Sequence, residues 1–361
     1  MLCLSSPFTL RQSAIATQPL RPHYVTGCQS FIKLNLPNPL TLAIVSPMRL
    51  ALLADIHGNL PALEAVVAEL ERLQPDAVVV DGDLINAVPF TSEVIDYVRA
   101  RQWIVVRGNH EFYYLDYGTE RALPGCEDPD RWGQLHWLVD HIAPEQGAYL
   151  AMLPDERTFY LPGALPLRIA HGVPGRNRTG FYRRQTDAAI AAEIQNVQEP
   201  TLVSAHTHVQ IDRHVTMEDH GHAAEGADPH AGIDLFQHTP RRRRSWHVIN
   251  PGSVGLPLDA RPLAQFAVLE NVPQPVEGGG WRATHYAVPY DRRAALHAFA
   301  ATGMLEAGGV ISQLFYWEVV TAEAEIVLFY RWAAANGLDP DRDSIRHTFE
   351  QYVAATGRDL R

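Results

Sequence analysis

Two residues near the start of the folded part of the sequence carry side chains that bind metal ions. Asp55 and His57 follow the apolar run of residues 50–54, which is short enough for a buried strand. Because side chains two positions apart on an extended backbone point the same way, the carboxylate and the imidazole can face one ligand. The pair predicts half of a metal site, although an isolated Asp-x-His is also compatible with an ordinary turn.

Similar polar residues follow four later apolar runs. They are Asp83 after residues 77–80, Asn109 and His110 after 104–106, His171 after 167–170, and His206 and His208 after 201–204. Five histidines, two aspartates and one asparagine thus stand at the ends of five predicted strands. Independent turns and surface imidazoles would require five coincidences, so the pattern predicts that these side chains form one site.

A set of imidazoles and carboxylates suits Mn, Fe, Ni or Zn better than Ca or Mg, which prefer oxygen ligands. Seven ligands exceed the needs of one tetrahedral ion, whereas two ions about 3.5 to 4 Å apart could share one carboxylate. The shared ligand must be an aspartate, because a neutral imidazole has one lone pair. Water between the ions would supply hydroxide near neutral pH, and phosphate oxygens would take the open positions.

The elements that carry these residues follow a regular order. Predicted strands at the first apolar run, at 77–80 and at 104–106 are separated by two segments with helical spacing, of which the first has apolar residues at Leu63, Val66 and Leu70. Such a βαβαβ order favours parallel strands with right-handed crossovers. Ligands collect at the carboxyl ends of parallel strands, which is where the polar residues stand.

The rest of the chain is less regular. Three more strands are predicted at 246–249, 265–270 and 281–288, and their Gly and Pro turns favour a more antiparallel second sheet. Helices are predicted at 291–303, 322–335 and 342–355. Residues 112–166 contain a predicted helix at 132–141 but have no assignment to a sheet, and they are typical of an insertion over a site. Trp132, Trp137 and Tyr182 could stack on a nucleobase, with burial as the alternative.

Composition limits the function classes. The net charge of -11 and the single basic run at residues 241–244 give no basic surface for nucleic acid. No window of 18 apolar residues predicts a membrane span. Three scattered cysteines favour a reducing compartment, so we expect a cytoplasmic protein. An anionic substrate would have to be attracted by the metal ions themselves. The sequence leaves the oligomeric state open.

Three domains are expected. Residues 1–47 contain no acidic residue, and Met48 directly precedes the first strand. We expect a poorly ordered extension that results from a misassigned start site, with a transit peptide as the alternative. Residues 48–289 would form the main domain, interrupted by a mobile, histidine-rich loop at 217–244. Residues 290–361 would form a C-terminal helical extension.

The polar residues also occur in a familiar series of motifs. The series Asp55-x-His57, Gly82-Asp83, Gly108-Asn109-His110-Glu111, His171-Gly172 and His206-Thr207-His208 resembles the calcineurin-like metallophosphoesterase superfamily, in its compact bacterial and archaeal phosphodiesterase branch. The resemblance covers residues 48–289. It implies an α/β fold, a four-layer α/β/β/α sandwich, with a dinuclear metal site at one rim.

The resemblance also implies roles. One ion would be bound by Asp55, His57, Asp83 and His208, and the other by Asp83, Asn109, His171 and His206, with Asp83 shared. Asp83 and His110 would be catalytic, because His110 would face the phosphate and protonate the leaving oxygen. The implied function is hydrolysis of small phosphate esters by a bridging hydroxide, as a phosphodiesterase or phosphatase that uses ions such as manganese.

Two other functions remain open at this stage. One is a phosphomonoesterase or a nucleotide or protein phosphatase, although Leu84-Ile85-Asn86 after Asp83 departs from the serine/threonine protein phosphatases. The other is a non-catalytic scaffold on the same fold, like the retromer subunit that resembles this superfamily. The histidine at position 110 argues against a scaffold. Ala205 replaces the glycine that usually precedes the last two histidines, which should shift the backbone little.

Overall fold

The structure is a computed structural model that describes residues 47–218, 243–276 and 279–359. The predicted extension at 1–47 therefore lies outside the described residues except for its last position, as does the centre of the predicted loop at 217–244. The edges predicted for that loop are wrong. Met217 pairs with Arg244, because two antiparallel strands extend into both ends of the predicted loop. The side chains there show no strand pattern, but backbone pairing does not depend on one.

The described residues form ten strands and eleven helices. The strands are β1 (Arg49–Leu53), β2 (Ala77–Asp81), β3 (Ile104–Val106), β4 (Glu156–Phe159), β5 (Leu167–Ala170), β6 (Thr201–Val203), β7 (Ile211–Glu218), β8 (Arg243–Asn250), β9 (Ala264–Val276) and β10 (Gly279–Val288). The helices are α1 (Leu60–Leu73), α2 (Thr91–Ala100), α3 (Asn109–Asp116), α4 (Pro129–His141), α5 (Pro144–Met152), α6 (Asp187–Ile194), α7 (Arg292–Ala301), α8 (Met304–Ala307), α9 (Gly309–Thr321), α10 (Glu325–Ala335) and α11 (Ile345–Thr356).

The strands form two sheets of five strands each. The first has the order β10-β9-β1-β2-β3, and the second has the order β4-β5-β6-β8-β7. As predicted, β1, β2 and β3 are parallel. The predicted assignment of the later strands to one antiparallel second sheet is wrong. β8 lies parallel to β6 in the second sheet, whereas β9 and β10 are antiparallel additions to the first sheet beside β1.

Apolar side chains hold the layers together. Leu52 and Val79 of the first sheet meet Ile169 and Ile249 of the second in one buried cluster between the sheets. Helices α1 and α2 cover the outer face of the first sheet, and α6 covers that of the second. Each fully buried Leu or Ile contributes about 1.5 to 3 kcal/mol relative to an exposed one. The predicted four-layer α/β/β/α sandwich is confirmed.

Helix α1 shows how the sequence determines the structure directly after Asp55 and His57. Asn59 caps the helix, because its side-chain oxygen accepts a hydrogen bond from the backbone N–H of Ala62 at 3.2 Å. A proline stands in the first turn, and Leu63, Val66 and Leu70 form the buried face. The cap therefore ends the turn that carries His57 and begins the helix at once.

The C-terminal helices include one that the apolar pattern does not predict. Helix α9 lies between predicted helical segments and is rich in β-branched and aromatic residues, which favour strands. It packs against α4, α7, α8, α10 and α11, and Leu314 and Trp317 are buried. A helix covered on several sides shows no single apolar stripe, which explains why periodicity missed it. In the ranges that the structure describes, no helix is both long and apolar enough to cross a bilayer.

Candidate metal centre

The predicted ligands lie at the carboxyl ends of strands from both sheets. Asp55 and His57 follow β1, Asp83 follows β2, and Asn109 begins α3 directly after β3. The second sheet contributes His171 after β5 and two histidines after β6. Because the two sheets pack face to face, these ends meet at one edge of the sandwich. We refer to the seven residues together as the strand-end rim: Asp55, His57, Asp83, Asn109, His171, His206 and His208.

The backbone of the rim is strained. Five of its residues have positive φ angles between 51° and 66°, a region that residues other than glycine rarely adopt. They are Asp55, His57, Asp83, His206 and His208. Backbone hydrogen bonds between neighbouring loops hold two of them, from Asp55 N to Gly82 O at 3.1 Å and from His57 N to Asp83 O at 2.9 Å. Such strain costs about 1 to 3 kcal/mol per residue and occurs mainly at functional sites.

Four rim residues form a first group. Asp55, His57, Asp83 and His208 are buried, and each offers one ligand atom within 4.8 Å of the others. His57 Nε2 lies 3.1 Å from His208 Nε2 and 3.7 Å from Asp83 Oδ2. His208 Nε2 lies 3.6 Å from Asp55 Oδ1. These atoms surround a common point, as the ligands of one ion would.

A second group lies on the other side of Asp83. His171 Nε2 is 3.2 Å from Asp83 Oδ2 and 3.0 Å from Asn109 Oδ1. His206 Nδ1 lies 2.8 Å from the same Asn109 oxygen. The structure therefore brings all seven predicted ligands together, and Asp83 is the residue that both groups share. Which of them bind metal stays a prediction.

Backbone oxygens orient two of the histidines. His171 Nδ1 lies 2.8 Å from the carbonyl oxygen of Asp81, and His208 Nδ1 lies 2.7 Å from that of Leu256. A carbonyl oxygen only accepts, so Nδ1 must carry the proton in each ring. In the neutral form of each ring the lone pair is then on Nε2, the nitrogen that faces the rim, as in histidines that bind metals.

Other residues support the rim without belonging to it. Glu111 is buried, and its carboxylate accepts backbone hydrogen bonds from Gly108 at 2.7 Å, Leu84 at 2.8 Å and Asp83 at 3.0 Å. Ser253 Oγ donates to the carbonyl oxygen of Asp55 at 2.7 Å. Neither Glu111 nor Ser253 had a predicted role. The signal for the glutamate was present, because it stands in the capping position of the first turn of α3.

Burial shifts the ionisation of the rim. It lowers the pKa of His206 to about 4 and that of His208 to about 3, so both imidazoles are neutral at neutral pH. It raises the pKa of the Asp55 carboxyl well above its ordinary value. Burial also raises the pKa of Asp83, but the neighbouring histidines, His171 foremost, outweigh it and hold that pKa well below its ordinary value.

The unpaired atoms show what fits this site. Both carboxylate oxygens of Asp55 are buried without a hydrogen-bond partner among the described residues. Burying a carboxylate without compensation is costly, and neutral imidazoles that face it with lone pairs do not remove that cost. A cation among these atoms would satisfy oxygens and nitrogens together. The donor set therefore fits divalent first-row metal ions.

His110 lies beside the rim rather than in it. Its Nε2 is 4.0 Å from Asp83 Oδ2, and its Nδ1 is 2.7 Å from Asn86 Nδ2. Because Asn86 Oδ1 accepts from the N–H of Ala87 at 2.8 Å, the amide nitrogen of Asn86 must donate to His110 Nδ1. The proton of the neutral ring is therefore on Nε2, the atom nearer the rim. Sequence reasoning missed Asn86, since nothing local marks it.

The aromatic residues singled out from the sequence differ in position. Trp137 is buried in the core, 3.7 Å from the ring of His141, and Tyr182 is exposed. Trp132 is half-buried and packs edge-to-face on Tyr113 with ring centroids 5.6 Å apart. The guanidinium of Arg178 lies over the Tyr113 ring, 4.6 Å from its centroid. That arginine places positive charge near the rim, and no sequence signal indicated it.

Comparisons with known proteins agree with this geometry. The sequence profile of the calcineurin-like phosphoesterase family matches residues 48–210. A metallophosphoesterase from Sphaerobacter thermophilus is similar in structure, with a TM-score of 0.51 and 20% identity over 76% of this chain and 99% of that one. A hypothetical protein from Pyrococcus horikoshii has a TM-score of 0.53 and 19% identity over 72% and 96%. At these identities the likeness concerns the fold. Among curated proteins, none matches the sequence.

Proposed function

We propose that this chain, whose residues 48–210 match the calcineurin-like phosphoesterase family, hydrolyses small phosphate esters with the help of two divalent metal ions. Phosphodiesters are the proposed first choice of substrate. One observation supports the proposal above all others. Asp83 Oδ2 lies 3.7 Å from His57 Nε2 of the first group and 3.2 Å from His171 Nε2 of the second. A carboxylate in that position can serve two ions.

The proposed ligand sets follow the two groups. Asp55, His57, Asp83 and His208 would hold one ion, and Asp83, Asn109, His171 and His206 the other. When bound, such ions acidify water, so that hydroxide is available near neutral pH, and supply positive charge for phosphate oxygens. Manganese, iron, nickel and zinc all suit this donor set, and availability in the cell decides among them. Hydrolysis would be direct, with inversion at phosphorus.

The remaining steps belong to side chains of the protein. His110 carries its proton on Nε2, towards the rim, and would donate a hydrogen bond from it to the leaving oxygen of the ester, where negative charge develops. Asn86 keeps that proton on Nε2 by donating to Nδ1. Glu111 accepts hydrogen bonds from the backbone N–H groups of Asp83, after β2, and of Gly108, after β3. It thereby keeps the loops that carry Asp83 and His110 at a fixed separation. Arg178 adds local positive charge for an anionic substrate in a protein of net charge -11.

The direct test is turnover of two chromogenic esters, bis-p-nitrophenyl phosphate and p-nitrophenyl phosphate, with Mn²⁺, Ni²⁺ or Zn²⁺ added to metal-free protein. We expect metal-dependent release of nitrophenol with the diester as the better substrate. A faster rate on the monoester would favour a phosphomonoesterase. Protein that is folded by circular dichroism and binds metal, yet turns over neither ester, would instead support the scaffold alternative.

A further inference from the structure

A cavity opens directly beside the rim. Its volume is about 380 Å³, and Asn109 and His110 form the part nearest to the candidate metal centre. The rest is lined by α3, α4 and the C-terminal helices α9 and α10. Pockets for small molecules have volumes of about 300 to 1,000 Å³, so this one is large enough for a ligand group.

Aromatic rings make up much of the lining. Tyr113, Trp132, Phe315 and Tyr330 all face the cavity. The Phe315 ring lies 6.3 Å from that of His110, and the Tyr113 and Trp132 rings lie 5.6 Å apart, both edge-to-face. Aromatic pairs in offset or edge-to-face contact attract each other beyond the effect of their burial. A planar ring inserted between these walls would continue the same packing.

The charges in the cavity cancel. Arg131 and Asp341 line the part formed by α4 and the loop before α11, and they form an ion pair with each other. Arg131 Nη2 also donates to the hydroxyl of Tyr330 at 2.9 Å. The arginine is thus neutralised and already bonded. A group with its own phosphate or carboxylate would find no free cation among the described residues that line the cavity.

Two polar atoms of the lining are buried and without a partner among the described residues: Gln134 Oε1 and Trp132 Nε1. Gln134 is only 2% exposed, and its Nε2 donates to Ala87 O at 3.2 Å and to Ser312 Oγ at 3.3 Å. Because the amide nitrogen is bonded to a carbonyl oxygen, the amide orientation is fixed and Oε1 is left as an acceptor. Two residues of the lining therefore each carry an unsatisfied polar atom, one an acceptor and one a donor.

We propose that this cavity binds the leaving group of the substrate and that this group is a neutral aromatic ring. The proposal rests on the proposed function, since it takes the phosphate to lie at the rim. His110 then stands between phosphate and cavity, where its Nε2 proton can reach the ester oxygen, which is on the ring of an aryl ester and on the ring-bearing sugar of a nucleoside ester. A simple aryl ester and a nucleoside ester both meet this description.

Binding of phosphonates to the Mn²⁺-loaded full chain tests the proposal without any turnover. Phenylphosphonate and methylphosphonate share one head group, and isothermal titration calorimetry gives the affinity of each. We expect phenylphosphonate to bind at least about tenfold more tightly. The variant Ile326→Trp, which fills the cavity from α10, should abolish that preference and leave methylphosphonate binding unchanged. A methylene-linked nucleoside phosphonate shows by its affinity which of the two ring types fits better.

Further variants control for folding. Trp132→Ala should reduce the phenyl preference about fivefold and Trp132→Phe much less, while Tyr160→Ala, at an aromatic residue that is 70% exposed, should not change it. Equal affinity of the wild type for both phosphonates would overturn the leaving-group pocket and leave the proposed function intact. No binding of either phosphonate to metal-loaded protein would instead contradict the proposed function.

Discussion

The strand-end rim and the helices that face it are built in opposite ways. The rim consists of buried polar residues, five of them with positive φ, and its Asp55 carboxylate has no partner among the described residues. Helices α9 and α10, which we call the helical wall, present apolar and aromatic side chains such as Phe315 and Phe329. One region is costly to fold and the other stabilises the fold.

This difference separates the tasks of the two regions. Strain and unpaired charge persist only where a function or a ligand compensates for them, so the rim is where chemistry is expected. The helical wall is mainly apolar, with Glu318 and Glu325 as its buried carboxyl groups, and its influence on function is through the shape of the cavity. Variants in the rim should therefore change metal content and turnover, whereas variants in the wall should change stability or substrate choice.

The largest effect is expected for Asp83→Asn. An amide cannot supply negative charge to two ions, so metal content should fall to near zero and turnover should be nearly abolished. Elemental analysis after gel filtration and assays on the chromogenic diester measure both. Asp187→Asn, in an exposed ion pair of α6, is the matched control and should behave as wild type. Unchanged metal content in Asp83→Asn would contradict the shared position.

His110→Ala should retain the metal and slow the reaction. Loss of one hydrogen-bond donor to the leaving oxygen reduces the rate by about 10² to 10³, and the effect should appear in kcat because His110 is not a predicted ligand. Kinetics on the diester, paired with elemental analysis of the same sample, separate the two properties. An unaltered kcat would remove the catalytic assignment, and loss of metal would place His110 among the ligands.

Asn86→Ala should have a smaller effect at the border of the rim. Without the amide, nothing among the described contacts holds the proton of His110 on Nε2, so kcat should fall by about 10- to 100-fold, with metal content preserved. In the double variant with His110→Ala, kcat should be little lower than in His110→Ala alone, because Asn86 acts through the His110 ring. Additive losses in the double variant would show that Asn86 acts elsewhere.

The smallest effect belongs to the helical wall. Glu318 is buried in α9, where burial raises its pKa from 4.5 to about 8. The folded protein thus favours the neutral form, so the contribution of Glu318 to stability is greatest below pH 4.5 and falls as the pH rises from there through 8. Each unit of pKa difference corresponds to about 1.4 kcal/mol.

Glu318→Gln should reduce the loss of stability between pH 4.5 and pH 8 and leave metal content unchanged. Urea unfolding at pH 5.5 and pH 8.0 measures the difference against wild type, and Glu350→Gln, at a carboxyl whose side chain is 65% exposed, is the control. If wild type and Glu318→Gln lose the same stability between the two pH values, the carboxyl is already charged in the folded protein.

The rim could be predicted from the sequence because its signals are local. Each ligand stands directly after an apolar run, and the geometry of parallel strands brings such positions to one edge. The seven ligands named from sequence all meet in the structure. The supporting contacts of Asn86 and Ser253 could not be predicted in this way, because their partners depend on how two loops pack.

The helical wall shows where such reasoning ends. The strands at β9 and β10 were located from their composition, but a strand pattern does not say which sheet the strand joins. Helix α9 has no amphipathic period, since it is covered on several sides. The cavity combines residues as far apart in the sequence as Asn86 and Tyr330, and no local pattern predicts that they line the same cavity.

The bonds that hold the loop after β1 have a consequence for how the protein is made. Ser253, which fixes the backbone of Asp55, is 198 positions further along the chain, and β1 itself pairs with β9. Contacts of such long sequence separation form slowly and late. During synthesis on the ribosome, the first ligand to emerge therefore waits for some two hundred later residues before its loop is secured. The loop that carries Asp55 therefore takes its final form only after most of the chain has been synthesised.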